Sequence, residues 1–170
     1  MKLLLVTDQN NHEYLIETTK LFNEMCNQIS AWEGEETGLD AHEFSKRAYK
    51  RLREQYSARS SLVSRALRHV YILKNLHEIK TVRLFFEPLS PIILDKRLVR
   101  LKDGMLAIIK GAAGNVYIPY VVLGYDSVSV PITKHRAFHL ILKNDRFYLY
   151  VTTEVPDGFF LGCSLPAPQL

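Results

Sequence analysis

Five cations, Lys46, Arg47, Lys50, Arg51 and Arg53, fall within eight residues of one another, and the chemistry such a group performs is the neutralisation of a polyanion. At 100° per residue they fill one arc of a helix, while Phe44, Ala48, Tyr49, Leu52 and Tyr56 gather on the opposite arc. One face packs and the other presents charge. Glu43 and Glu54, at the two ends, are the carboxylates within reach. A merely solvated helix face is the alternative, but mutually repelling cations favour a phosphate backbone as their counterpart. Downstream, Ser61, Ser64, Arg65 and Arg68 fall outside the packed side formed by Leu62, Val63, Ala66, Leu67 and Val70. Arg59, Ser60 and Ser61 stand at the start of that helix, where free N–H groups and the positive end of the dipole favour phosphate. Ser60 serves equally well as a helix cap, and the two roles are compatible. A second, looser set of cations follows: Lys96, Arg97, Arg100 and Lys102, then Lys134 and Arg136 on either side of His135.

Enzymatic chemistry finds little support. The six histidines show no metal-ligand spacing, and HExxH, GxSxG and a phosphate-cradling glycine loop are all missing. Asp95 and His135 form an acid/base pair only if the fold brings them together, which nothing in the sequence indicates. Two cysteines, Cys26 and Cys163, are too few for a disulfide framework or a zinc cage. No cofactor is implied, and a reducing, cytoplasmic setting is the expectation. No apolar run approaches the roughly 18 residues of a membrane span, and "MKLLLVTD" meets an Asp too soon for a signal peptide.

The charge is segregated along the chain. Residues 1–40 carry 2 basic and 8 acidic side chains, residues 41–74 carry 9 basic and 2 acidic, and the remainder carries 11 and 8, giving a net charge of +4. Such concentration of cations is the electrostatic footprint of nucleic-acid binding.

Periodicity supplies the elements that position these residues. After a strand over Leu3–Val6, apolar residues from Leu15 to Ile29 recur at helical spacing, which predicts a helix over about His12–Ser30 capped by Asp8 or Asn11. "GEETGLD" reads as an acidic connection. Helices are expected over Glu43–Tyr56 and Ser61–Asn75. From Thr81 the pattern changes to strands. "MLAIIK" and "NVYIPYVV" flank "GAAG", and "AFHLILK" and "RFYLYVTTEV" flank the two-residue Asn144–Asp145 turn, a hairpin signal. Leu98, Arg100 and Lys102 suggest a strand with one wet face, although Val99 and Leu101 blur the alternation. Tyr117, Tyr120, Tyr125, Phe147, Tyr148 and Tyr150 are mostly core residues by type, with base stacking as the alternative. The expected fold class is α+β: a small antiparallel β-barrel with a helical insertion after its first strand.

Six blocks in order resemble the TnpB-type RNA-guided endonucleases of insertion sequences, relatives of type V CRISPR effectors. "KLLLVTD" is similar to the opening strand of that family and "LIETTKLFNEMCNQIS" to its first recognition helix. "YKRLREQYSARSSLVSRALRHVYILK" resembles its Tyr-x-x-Leu-Arg helix and the Ser-led helix after it. "FFEPLSPIILDKRLVRLK" resembles a wedge segment with an Asp-x-Arg step at Asp95 and Arg97. "GNVYIPYVV" sits where relatives read Gly-Arg-Ile-Lys-Val-Pro, with Asn115 and Tyr117 at commonly basic positions. Phe160, Leu161 and Gly162 match the "FLGVDLG" opening of the nuclease domain, but Ser164 stands at the place of its first metal-binding aspartate, and six residues follow it.

The resemblance implies an OB-like wedge barrel over residues 1–8 and 79–156, a recognition insertion over 9–78, and over 157–170 the vestigial opening strand of a truncated RuvC-like nuclease domain. It implies RNA contacts by Lys46, Arg47, Lys50, Arg51, Arg53, Arg65, Arg68, Lys96, Arg97, Arg100, Lys134 and Arg136. DNA contacts fall to Arg59, Ser60, Ser61 and Ser64. The implied partners are a structured guide RNA, target-adjacent duplex DNA and a separate nuclease chain, with no membrane and no cleavage by this polypeptide. The location is cytoplasmic, or nucleoid-associated when DNA is bound. A domesticated regulatory or protein-interaction module and one half of a split nuclease are the other readings.

Overall fold

The computed structural model describes residues 1–35, 40–76, 82–102, 106–111, 114–123, 137–152 and 163–164. Strand β1 (Lys2–Leu5) leads into three helices, α1 (Gln9–Glu35), α2 (Ala41–Tyr56) and α3 (Ser60–Leu76). The strands after them are β2 (Phe85–Phe86), β3 (Ile92–Leu94), β4 (Val99–Lys102), β5 (Leu106–Lys110), β6 (Asn115–Leu123), β7 (Ala137–Lys143), β8 (Arg146–Thr152) and β9 (Cys163–Ser164). The α+β class and the helical insertion after the first strand are both present.

Seven strands form one antiparallel sheet in the order β3-β7-β8-β1-β6-β5-β4. Its two edges are consecutive in sequence, joined through residues 95–98 alone. That link reaches at most roughly 19 Å, at 3.8 Å per Cα step. A flat sheet of seven strands would hold its edges roughly 29 Å apart at 4.8 Å per strand. The sheet therefore curls into a half-barrel.

Local chemistry sets its corners. Asn144 and Asp145 adopt φ of 50° and 57°, the left-handed pair of the hairpin turn whose twist matches its strands, and β7 pairs with β8 from Lys143↔Arg146 to Ala137↔Thr152. At the β5–β6 hairpin the Tyr14 hydroxyl of α1 accepts from Gly111 N (2.7 Å) and donates to Gly114 O (2.6 Å). A Cβ on Gly111 would strike the Thr18 hydroxyl and come within 2.9 Å of the Tyr14 ring. The helix lies against this turn because glycine leaves room for it.

Helix α1 is the central element. It is longer than periodicity predicts, since Trp32 still packs on the core and the helix runs into the first residues of "GEETGLD". Of the two candidate caps, Asp8 accepts from Asn11 N at 2.7 Å. The helix carries a polar stripe that apolar periodicity conceals. The Asn27 side chain accepts from Phe86 N (2.7 Å) and donates to Phe86 O (2.9 Å). Asn23 donates to Ser90 O at 2.9 Å, and Ser30 Oγ accepts from Leu84 N at 2.7 Å. Spaced at i, i+4 and i+7, these three side chains share one helix face. They satisfy main-chain groups of segment 84–90, a short strand followed by a turn, that would otherwise be buried without partners. The other edge of that segment is taken by β9, with Phe85 opposite Ser164. Buried side chains of helices and sheet, from Phe22 and Leu52 to Phe147 and Leu149, belong to one cluster.

Candidate nucleic-acid interface

Helix α2 begins where Asp40 accepts hydrogen bonds from His42 N (2.8 Å) and Glu43 N (2.9 Å), two of the donors that a helix start leaves unpaired. It ends at Ser57, whose φ of 49° is left-handed. Phe44, Ala48 and Leu52 are buried against α1 and α3. Lys46, Arg47, Lys50, Arg51 and Arg53 are all exposed, so the amphipathic reading of this helix holds.

The five cations are not equivalent. Arg53 Nη1 donates to the carbonyl of Ala58 beyond the helix end, so part of its head group serves the turn. The Arg51 guanidinium lies over the Trp32 ring, 5.4 Å from its centroid. Lys50 approaches Glu54 at 3.9 Å, with both side chains more than 60% exposed. A pair of that kind contributes little and leaves the positive charge available. Lys46 and Arg47 project outward.

Helix α3 divides its two arginines. Arg68 is exposed, as is Ser60, while Arg59, Ser61 and Ser64 are half-buried. Arg65 departs from the expectation of an outward cation. It is only 7% exposed, and its Nε donates to Ile93 O at 3.2 Å. The helical wheel places Arg65 at the margin of the face defined by Leu62, Ala66 and Leu73, and β3 closes over that margin. Arg65 is thus a buried tether between α3 and the sheet. One turn further on, His69 is buried as well, between the rings of Phe22 (5.8 Å) and Phe86 (5.6 Å).

This burial shifts the surrounding ionisations. Burial, then the charge of Arg65 and His139, pushes His69 down to about 3, and burial with Arg65 also lowers His139. Burial lowers Arg65 itself, against the attraction of Asp95. For Asp95, burial acts to raise the carboxyl, but hydrogen bonds from Arg97 and the charges of Arg97 and Arg65 outweigh it and hold the carboxyl below its usual range. Because both histidines have folded values below their unfolded ones, the unfolded chain binds more protons in acid. Stability is then greatest above about pH 6.5 and falls with pH below it, by up to about 1.4 kcal/mol per pH unit for each histidine. Asp40 and Asp95, both lowered, contribute stability that is fully present above about pH 4 and is lost only as the pH falls below it. Urea unfolding at pH 7.5 and pH 5 checks this, and the same midpoint at both would show that the two histidines titrate as though exposed.

The second set of cations lies in the link between β3 and β4, at Lys96 and Arg97, and on β4 itself, at Arg100 and Lys102. Arg97 Nη2 meets Asp95 Oδ2 at 2.7 Å, and Arg97 N donates to Asp95 Oδ1 at 2.8 Å, so the Asp-x-Arg step builds the turn and engages the guanidinium. On β4, Val99 and Leu101 are buried while Arg100 and Lys102 are exposed; the wet face is the one expected, but its packed partners are the residues that blurred the pattern. Lys96 is exposed. Lys134, His135, Arg136 and Tyr125 lie outside the described residues. Phe147 and Tyr120 are buried, Tyr117 is 56% exposed, and Tyr148 and Tyr150 lie beneath Lys2 Nζ at 4.5 and 5.5 Å from their ring centroids.

Beside the cationic face, α2 and α3 splay into an open groove of about 630 Å³. Lys46 and Tyr49 line it from α2, and Ser64, Leu67, Arg68 and Tyr71 line it from α3. Ala41, His42 and Ser45 complete it near the start of α2. Sequence reading assigned Tyr49 to the packed side and gave Tyr71 no role. Among the described residues, no three His, Cys, Asp or Glu side chains come together as a metal site, and no helix is long and apolar enough to cross a membrane.

No family model matches the chain, and no curated protein matches it either.

Proposed function

We propose that this chain binds structured RNA, as the wedge and recognition part of a TnpB-like RNA-guided system, with the outer face of α2 on the phosphate backbone. The observation that carries the reading is the exposure of Lys46, Arg47, Lys50 and Arg51 on one helix face, where the pairing of Lys50 with Glu54 is loose. A helix rigidly docked through Phe44, Ala48 and Leu52 presents these charges at fixed spacing, which suits the regular repeat of a phosphate backbone. Arg100, Lys102 and Lys96 add a second exposed strip on the curled sheet, whose OB-like identity belongs to the same proposal. Duplex DNA beside the target is assigned to the α3 start at Arg59, Ser60, Ser61 and Ser64. Cleavage is assigned elsewhere, to a nuclease domain or a partner chain.

The test is the nucleic acid that accompanies the purified protein. RNase-sensitive RNA with a recurrent secondary structure is expected, and it rebinds with an affinity that falls steeply with salt. A protein that emerges free of RNA and binds neither folded RNA nor duplex DNA at 50 mM salt would overturn the proposal and favour a protein-interaction module on the same fold.

A further inference from the structure

The groove between α2 and α3 shares Lys46 with the phosphate-binding face and adds to it two tyrosines that the phosphate-binding reading does not use. Its walls contribute one tyrosine and one cation each, Tyr49 with Lys46 and Tyr71 with Arg68, and none of the lining side chains is acidic. Tyr71 is 52% exposed. Leu67 adds apolar surface, and the Ser45 hydroxyl supplies a polar group that can both donate and accept. The volume of about 630 Å³ lies within the range of small-ligand sites, roughly 300–1,000 Å³.

An occupant must be flat and apolar enough to face tyrosine, small enough to enter between two helices, and negatively charged at its edge to meet Lys46 and Arg68. A carboxylate-bearing peptide satisfies the charge but brings a planar partner only where an aromatic side chain stands beside the carboxylate, whereas a nucleotide carries plane and charge in one unit. A paired base satisfies the charge but cannot leave its stack. The geometry points to an unpaired nucleotide of single-stranded RNA, its base against Tyr71 and Tyr49 and its phosphate between Lys46 and Arg68. The inference rests on the RNA reading and adds to it a preference for an unpaired base over a continuous duplex. The base stacks on tyrosine whatever its sequence, while a hydrogen bond from Ser45 reaches its edge.

The experiment compares two RNAs of equal length and charge, a perfect duplex hairpin and the same hairpin with one bulged 2-aminopurine, bound to the full chain and to Tyr71→Ala and Tyr71→Phe. The native chain is expected to prefer the bulged RNA and to change the 2-aminopurine fluorescence on binding. Tyr71→Ala should reduce that preference by about five- to a hundredfold, the range of one base–aromatic stack, and Tyr71→Phe should keep it. Exposure of Tyr71 leaves the core intact, and an unchanged melting temperature verifies this. An Arg47→Gln, Lys50→Gln variant should weaken both RNAs alike and spare the ratio. If Tyr71→Ala leaves the bulge preference and fluorescence unchanged while salt-dependent binding persists, the groove is not a base site and the backbone reading stands. Loss of binding to both RNAs by the native chain would remove the reading on which the inference rests. Binding of a peptide or a membrane in competition with the bulged RNA, with no fluorescence change, would overturn it as well.

Discussion

Replacing Lys46, Arg47, Lys50 and Arg51 together by Gln lowers affinity for structured RNA by roughly a hundred- to thousandfold at physiological salt, and flattens the dependence of log K on log salt by about three. The figure follows from counterion release, since each neutralised phosphate contributes about 0.7 to 0.9 to the slope. The structure indicates which side chains act most fully. Lys46 and Arg47 are exposed, and the pairing of Lys50 with Glu54 at 3.9 Å is too loose and too wet to withhold its charge. Arg51 gives up a cation–π contact with Trp32, a loss of about 0.5–1 kcal/mol that the fold tolerates. All four lie opposite the buried residues Phe44, Ala48 and Leu52, so the variant keeps its melting transition. Filter binding over a salt series provides the measurement. An unchanged slope in the folded variant would assign the face to solvent and give the lead to the protein-interaction reading.

The opposite outcome is expected on the other face of the same helix. Leu52 is fully buried, and Leu52→Asp removes the packing of a core leucine, about 3–5 kcal/mol, and places a carboxylate where no cation is arranged to receive it. The combined penalty approaches the about 5–15 kcal/mol that holds a typical domain together. Because Leu52 belongs to the cluster that also contains Leu149 and Phe147, the loss extends beyond α2. Circular dichroism on heating should show a broadened transition or none at 37 °C, with RNA binding lost at every salt concentration. Leu52→Met, which conserves volume, should cost less than about 1.5 kcal/mol. A sharp melt of Leu52→Asp within a few degrees of the native chain would show that α2 does not dock by this face.

The sequence by itself determined the features that depend on local periodicity. The buried triplet Phe44, Ala48 and Leu52 and its cationic back follow from 100° per residue. The Asn144–Asp145 hairpin follows from the few residue types that accept left-handed φ, and the helical insertion from the change of period after Thr81. What requires distant partners was decided by the tertiary structure alone. Arg65 looked outward on its own helix and is buried because β3 lies across the margin of that face, with Ile93 O to receive its hydrogen bond. Asn23, Asn27 and Ser30 leave no mark on apolar periodicity, yet they serve the main chain of a segment more than fifty residues away. The curl of the sheet depends on which strands become its edges, a matter of pairing order that no single strand encodes. The groove is formed jointly by two amphipathic helices, with Tyr49 contributed by α2 and Leu67 and Tyr71 by α3. Each helix records its own face in its sequence, but the space between two faces is a property of their packing.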